Sequence, residues 1–62
     1  MKDKLKKLMD ERHETAYQVS KATGFSQTAI GCWLNGDYEP KLEALKALSN
    51  HFDVPITYFI EP

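Results

Sequence analysis

The stretch from Thr15 to Gly36, TAYQVSKATGFSQTAIGCWLNG, leaves the chain little freedom. Thr15 is a residue type that caps helix starts, and Gln18 three positions on completes a capping box with it. Ala16, Val19, Ser20 and Thr23 then recur at helical spacing on one face. Gly24 supplies the left-handed residue that ends a helix, and Phe25 follows as the apolar closing contact. Ser26 caps a second helix whose inner face is Ile30, Trp33 and Leu34. Asn35-Gly36 closes it with the two residue types that best tolerate positive φ. Helix, glycine turn, helix over residues 15–36 is the pattern of a helix-turn-helix.

The outward face of the second helix is small and polar: Gln27, Thr28, Gly31 and Cys32. Surface helix positions ordinarily carry strong helix formers such as Lys, Glu or Ala. Gly31 costs about 1 kcal/mol against Ala inside a helix. A close approach of this backbone to a partner explains such a face, because long charged side chains would hold the helix off the floor of a groove.

On these residues the stretch resembles the DNA-binding helix-turn-helix of the Cro and phage lambda repressor family. The resemblance is carried by Val19, Ser20, Gly24, Phe25, Ile30, Trp33 and Asn35-Gly36. It continues through Pro40, Leu42, Leu45, Phe52-x-Val54 and Tyr58-Phe59, and so covers the chain from about Leu5 to Ile60. It implies an all-α, compact, five-helix lambda repressor-like domain over residues 1–62. The sequence departs from the family at Glu14, where an apolar residue is common, and at Ala16, where Gln is usual. Ser20 replaces the usual Ala. The family often pairs an Arg in the first helix with a Glu late in the recognition helix; Met9 and Leu34 stand at those positions, so a packing contact replaces the ion pair. Replacing both partners together can be neutral or stabilising, whereas losing one is costly.

If the second helix lies in a major groove, as the resemblance implies, its N-terminal residues reach base edges. Gln27 can pair in bidentate fashion with adenine, and Thr28 can use its hydroxyl or its methyl. Cys32 stands at a family base-contacting position and offers mainly apolar contact, as to a thymine methyl; the alternative is a half-exposed residue without a role. Ala29 is either core-facing or a methyl contact. Trp33 shares the Ile30 stripe and is read as core. Ser26 is read first as a cap whose backbone N–H can also meet phosphate. Tyr17 and Gln18 stand beside Ala16 and can bond phosphate in place of the family's Gln, although Tyr17 can instead pack on the first helix. Asn35 resembles family residues that bond the DNA backbone, and Lys41 stands where the family often meets phosphate.

Sixty-two residues allow one domain with a small core. The single cysteine forms no internal disulfide, and no apolar run approaches a membrane span or a signal-peptide core, which fits the cytoplasm of a bacterial host. The net charge of −1 argues against a DNA binder at first sight. Its distribution softens this: residues 1–36 carry six basic and four acidic side chains, net +2, and residues 37–62 two and five, net −3. Few phosphates can be neutralised per subunit, so binding should depend on a dimer.

Along the chain, a first helix is expected from about Asp3 to Arg12 with Leu5, Leu8 and Met9 inward. Lys2, Lys4, Lys6 and Lys7 cluster at its start and are read first as a solvated, charged helix face; the alternative is that one or two reach phosphate. The helix-turn-helix should span Ala16–Thr23 and Gln27–Leu34. A fourth helix is expected from Lys41 to Phe52 with Leu42, Leu45, Leu48 and Phe52 buried, and His51 favourably placed near its C-terminal dipole. A short fifth begins near Ile56, opened by Pro55. Of Tyr58, Phe59 and Ile60, some close the core and the rest can form a symmetric dimer contact, as the family implies.

No nucleophile motif, phosphate-binding glycine loop or metal-ligand set is present, so the sequence points away from an enzyme, and no cofactor or small-molecule ligand is expected. The expected function is sequence-specific binding of operator DNA by a homodimer acting as a repressor. The chain is then either a complete Cro-like protein or the excised DNA-binding domain of a longer repressor. A protein-interaction module or an antitoxin with the same fold is the alternative, favoured by the acidic C-terminal half and the missing helix-2 glutamine.

Overall fold

The computed structural model describes residues 2–61, and their regular structure is all helical. In chain order the helices are α1 (Lys2–Glu11), α2 (Ala16–Thr23), α3 (Gln27–Asn35), α4 (Leu42–Phe52) and α5 (Thr57–Ile60). The expected all-α, five-helix architecture is therefore the one adopted. Helix ends move by one residue against the sequence expectation: α1 starts and stops one residue earlier, α3 runs one further, and α4 and α5 start one later.

Local chemistry fixes the helix-turn-helix. The Thr15 hydroxyl accepts the Gln18 N–H at 3.2 Å while Gln18 Oε1 accepts the Thr15 N–H at 2.9 Å, so two otherwise unpaired donors at the start of α2 are satisfied. Gly24 turns the chain at φ +84°, and its N–H closes α2 on the Ser20 carbonyl. The Ser20 hydroxyl donates to the Phe25 carbonyl at 2.6 Å, a bond across the turn that an alanine could not make. Ser26 Oγ accepts the Ala29 N–H at 3.1 Å and starts α3. Gly36, at φ +81°, ends it.

One buried cluster joins all five helices: Leu5, Leu8 and Met9 of α1, Val19 of α2, Ile30 and Trp33 of α3, Ala44, Leu48 and Phe52 of α4, and Phe59 of α5. Trp33 meets Phe25 edge-on, ring centres 5.5 Å apart. Its indole N–H is buried without an acceptor among the described residues. That orphan costs about 1–3 kcal/mol, less than the roughly 4–6 kcal/mol that burying an indole returns at about 25 cal/mol per Å². Met9 is buried and Leu34 packs against the cluster, as an apolar replacement for an ion pair requires.

Leu42 corrects the expected stripe of α4: it is 58% exposed, and Ala44 takes its place in the core. At 100° per residue, Leu42 points about a quarter turn away from the direction shared by Ala44, Leu48, Ser49 and Phe52. As the first residue of α4, it has no preceding helical turn to cover it.

Glu14, where the family favours an apolar residue, is the centre of an ionic cluster. His51 Nε2 lies 2.5 Å from Glu14 Oε1, and Arg12 Nε lies 3.0 Å from Glu14 Oε2. Arg12 also donates to the His51 carbonyl at 3.0 Å and stacks over Phe52. The cluster ties the α1–α2 link to the end of α4. His51 therefore has a specific partner beyond the helix dipole that its position suggested. Two non-glycine residues beside this cluster adopt left-handed backbone, His13 at φ +54° and Asp53 at φ +56°.

The chain leaves α4 at Asp53, and Pro55 opens the last turn by accepting the Tyr58 N–H at 2.9 Å. Phe59 is buried, Tyr58 half-buried and Ile60 62% exposed. Lys4 covers the Tyr58 ring and donates to the Glu61 carbonyl.

Candidate nucleic-acid interface

α3 divides its residues sharply. Ile30 and Trp33 point into the core, and Leu34 packs against it. Gln27 and Thr28 are exposed on the first turn, Gly31 and Cys32 are half-exposed in the middle, and Asn35 is exposed at the end. The fold thus gathers Gln27, Thr28, Gly31, Cys32 and Asn35 along one uncovered side of a helix.

A Cβ added at Gly31 would meet nothing within 4 Å. Internal packing therefore does not require the glycine. Gly31→Ala should raise stability by about 1 kcal/mol, measured as a higher midpoint in urea at unchanged slope. A neutral or destabilising result would mean that this turn of α3 is strained in a way the open space does not show.

Ala29 leaves the base-contacting set as a direct methyl contact. Its side chain packs against the core and lines the hollow between α3 and the start of α4 with Phe25 and Trp33, off the outward side. Cys32 remains on that side, with the Tyr38 phenol beside it. The phenol's ionisation is pushed above the ordinary tyrosine range, by desolvation first and then by the neighbouring Cys32 and Asp37.

The backbone-contacting candidates frame α3. Ser26 spends an oxygen lone pair on the cap and keeps its hydroxyl proton to donate. Tyr17 is 53% exposed, with Lys21 Nζ 5.5 Å from its ring centre. Lys21, read from the sequence as facing solvent, is its stacking partner. Gln18 commits Oε1 to the capping box and retains its amide N–H groups as donors. Lys41 is exposed directly before α4 and makes no ion pair among the described residues. Between them, buried Pro40 anchors a loop in which Asp37, Tyr38 and Glu39 are exposed.

Sequence reasoning missed the arrival of α1 at the end of α3. The Lys2 side chain lies along Gly36, its Cδ 3.1 Å from the point a Cβ would occupy. The run of lysines was visible, but the contact depends on how α1 packs on α3.

Family comparison agrees with this geometry. A family model described as helix-turn-helix matches residues 5–59. No curated protein matches the chain.

Proposed function

Because the chain belongs to the Cro/lambda repressor-like family of DNA-binding helix-turn-helix regulators, we propose that it binds a double-stranded operator through α3 in the major groove and represses transcription as a homodimer. The observation that carries this reading is the uncovered side of α3, with a glycine at its centre that the fold itself does not need. Gln27 and Thr28 enter first and read base edges. Cys32 gives apolar contact one turn further on. Ser26, Tyr17, Gln18, Asn35 and Lys41 hold phosphates on either side and set the register. Tyr58 and Ile60 supply the dimer contact; Phe59 is spent in the core. Two-fold symmetry then calls for half-sites about one helical turn apart. The reading places the protein in the bacterial cytoplasm, and no helix among the described residues is long and apolar enough to cross a membrane.

Selection of bound duplexes from a random library at two salt concentrations tests this. A palindromic motif that is enriched at low salt and lost at higher salt is the expected result. No enrichment at low salt with folded protein would overturn it. Within the selected motif, Gln27→Ala should lose about 1–3 kcal/mol and relax preference at one base pair, while Lys41→Ala should weaken every sequence alike. A uniform loss for Gln27→Ala would remove it from the base-reading residues.

A second reading, a protein-interaction module or antitoxin, is favoured by one observation. An apolar hollow of about 780 Å³ lies between α3 and α4, lined by Phe25, Trp33 and the exposed Leu42 and flanked by Glu39, Lys41 and Glu43. Binding of a protein there through apolar surface would resist salt, whereas DNA binding weakens steeply with it.

A further inference from the structure

We propose that α1 lends two lysines, Lys2 and Lys6, to the DNA interface as a phosphate clamp around the C-terminal end of α3. The inference rests on α3 lying in the groove as proposed above.

The end of α3 is electrostatically wrong for DNA by itself. A helix C-terminus carries a partial negative charge, the last turn of α3 holds no basic residue, and exposed Asp37 follows directly. Yet Asn35, the candidate backbone contact, sits there. The missing cations come from another helix. Lys2 lies over Gly36, its Nζ 3.5 Å from the point where a Cβ would stand. Lys6, four residues on and therefore on the same side of α1, borders the hollow between α1 and α3 together with Leu34 and Asn35. Lys2 thus lies at Gly36, and Lys6 lines the hollow that Asn35 also borders. Both lysines are exposed and neither is ion-paired among the described residues.

The neighbouring acids sharpen the assignment. Asp3 and Glu39 border the Lys2 hollow, and Asp10 and Glu14 the Lys6 hollow. Glu14 is already bound by Arg12 and His51. Without Lys2 and Lys6 this corner would be an acidic patch that repels the backbone Asn35 must touch. The other two lysines of α1 have different places. Lys4 is committed to Tyr58 and the Glu61 carbonyl. Lys7, at 100° per residue, projects from another side of α1 and borders neither hollow.

The test is the salt dependence of duplex binding for the wild type, Lys2→Gln, Lys6→Gln, the double variant, and Lys7→Gln as a charge-matched control. Each clamp substitution removes one phosphate contact per subunit, hence two per bound dimer, and should lower the slope of log K against log salt by about 1.8, and the double by about 3.6. The loss should be equal on all sequences, with the thermal midpoint unchanged, and Lys7→Gln should leave the slope at the wild-type value. A wild-type slope in the double variant overturns the clamp. So does an equal drop in Lys7→Gln, which would show general charge and not position at work. Absence of salt-dependent binding by the wild type overturns the clamp together with the groove reading, and is a different result from an unchanged slope.

Discussion

Ile30→Ala should lower stability by about 2–5 kcal/mol. Ile30 has no exposed surface and is among the largest fully buried side chains, with Leu5, Leu48 and Val19. Its removal opens a cavity in the cluster where the helices meet, and helices fixed by caps and turns cannot collapse fully into it. A chain of this length has a total stability of roughly 3–9 kcal/mol, so the variant should lose a large share of it and unfold at a much lower temperature. DNA binding should then fail at the temperature where this fold is lost. Gln27→Ala, on the same helix but exposed, should bind less well at unchanged stability. Urea unfolding followed by Trp33 fluorescence measures the difference. A loss below 1 kcal/mol for Ile30→Ala would show that the core repacks around the cavity.

Glu14→Ala should cost about 2–3 kcal/mol, the range for removing a largely buried charged acceptor from its donors. The Glu14 side chain is 14% exposed and that of His51 19%. Deleting the carboxylate leaves a mostly desolvated imidazole without its partner, and frees an Arg12 guanidinium whose second bond is to the His51 carbonyl. Arg12 is 45% exposed, so water recovers most of its loss and the damage centres on His51. A double-mutant cycle of Glu14→Ala with His51→Ala should give a coupling of at least 1 kcal/mol. Additive losses would mean that the two side chains are merely neighbours.

The features legible in the sequence were those decided within a few residues. Thr15, Gln18, Gly24, Ser26 and Gly36 each act on backbone groups no more than four positions away, so their roles follow from residue type and spacing. The outward positions Gln27 and Thr28 were legible because Ile30, Trp33 and Leu34 fix the phase of α3. Leu42 was misplaced because an apolar residue at the first position of a helix satisfies the spacing without reaching the core. Ala29 stayed ambiguous because a methyl suits either side of a helix. The Glu14–His51 pair spans 37 positions, and the Lys2–Gly36 contact nearly as many. Such pairings depend on how α1 and α4 dock, which no local pattern encodes.

The four tight helix ends differ in kind. The two that end the helices of the helix-turn-helix are glycines, Gly24 and Gly36, which hold positive φ without steric cost. The other two, His13 and Asp53, hold it with a Cβ in place, at about 1 kcal/mol each, and both lie beside the Arg12–Glu14–His51 cluster. The protein is therefore unevenly poised. Partial opening should begin where α1 passes to α2 and α4 to α5, once the ionic cluster releases. In native-state hydrogen exchange the Glu14 and Val54 amides, which close these ends on Met9 and Ser49, should exchange through a local opening well below the global free energy. The Gly24 amide should follow global unfolding, so that the turn between α2 and α3 stays closed while the ends of α1 and α4 open.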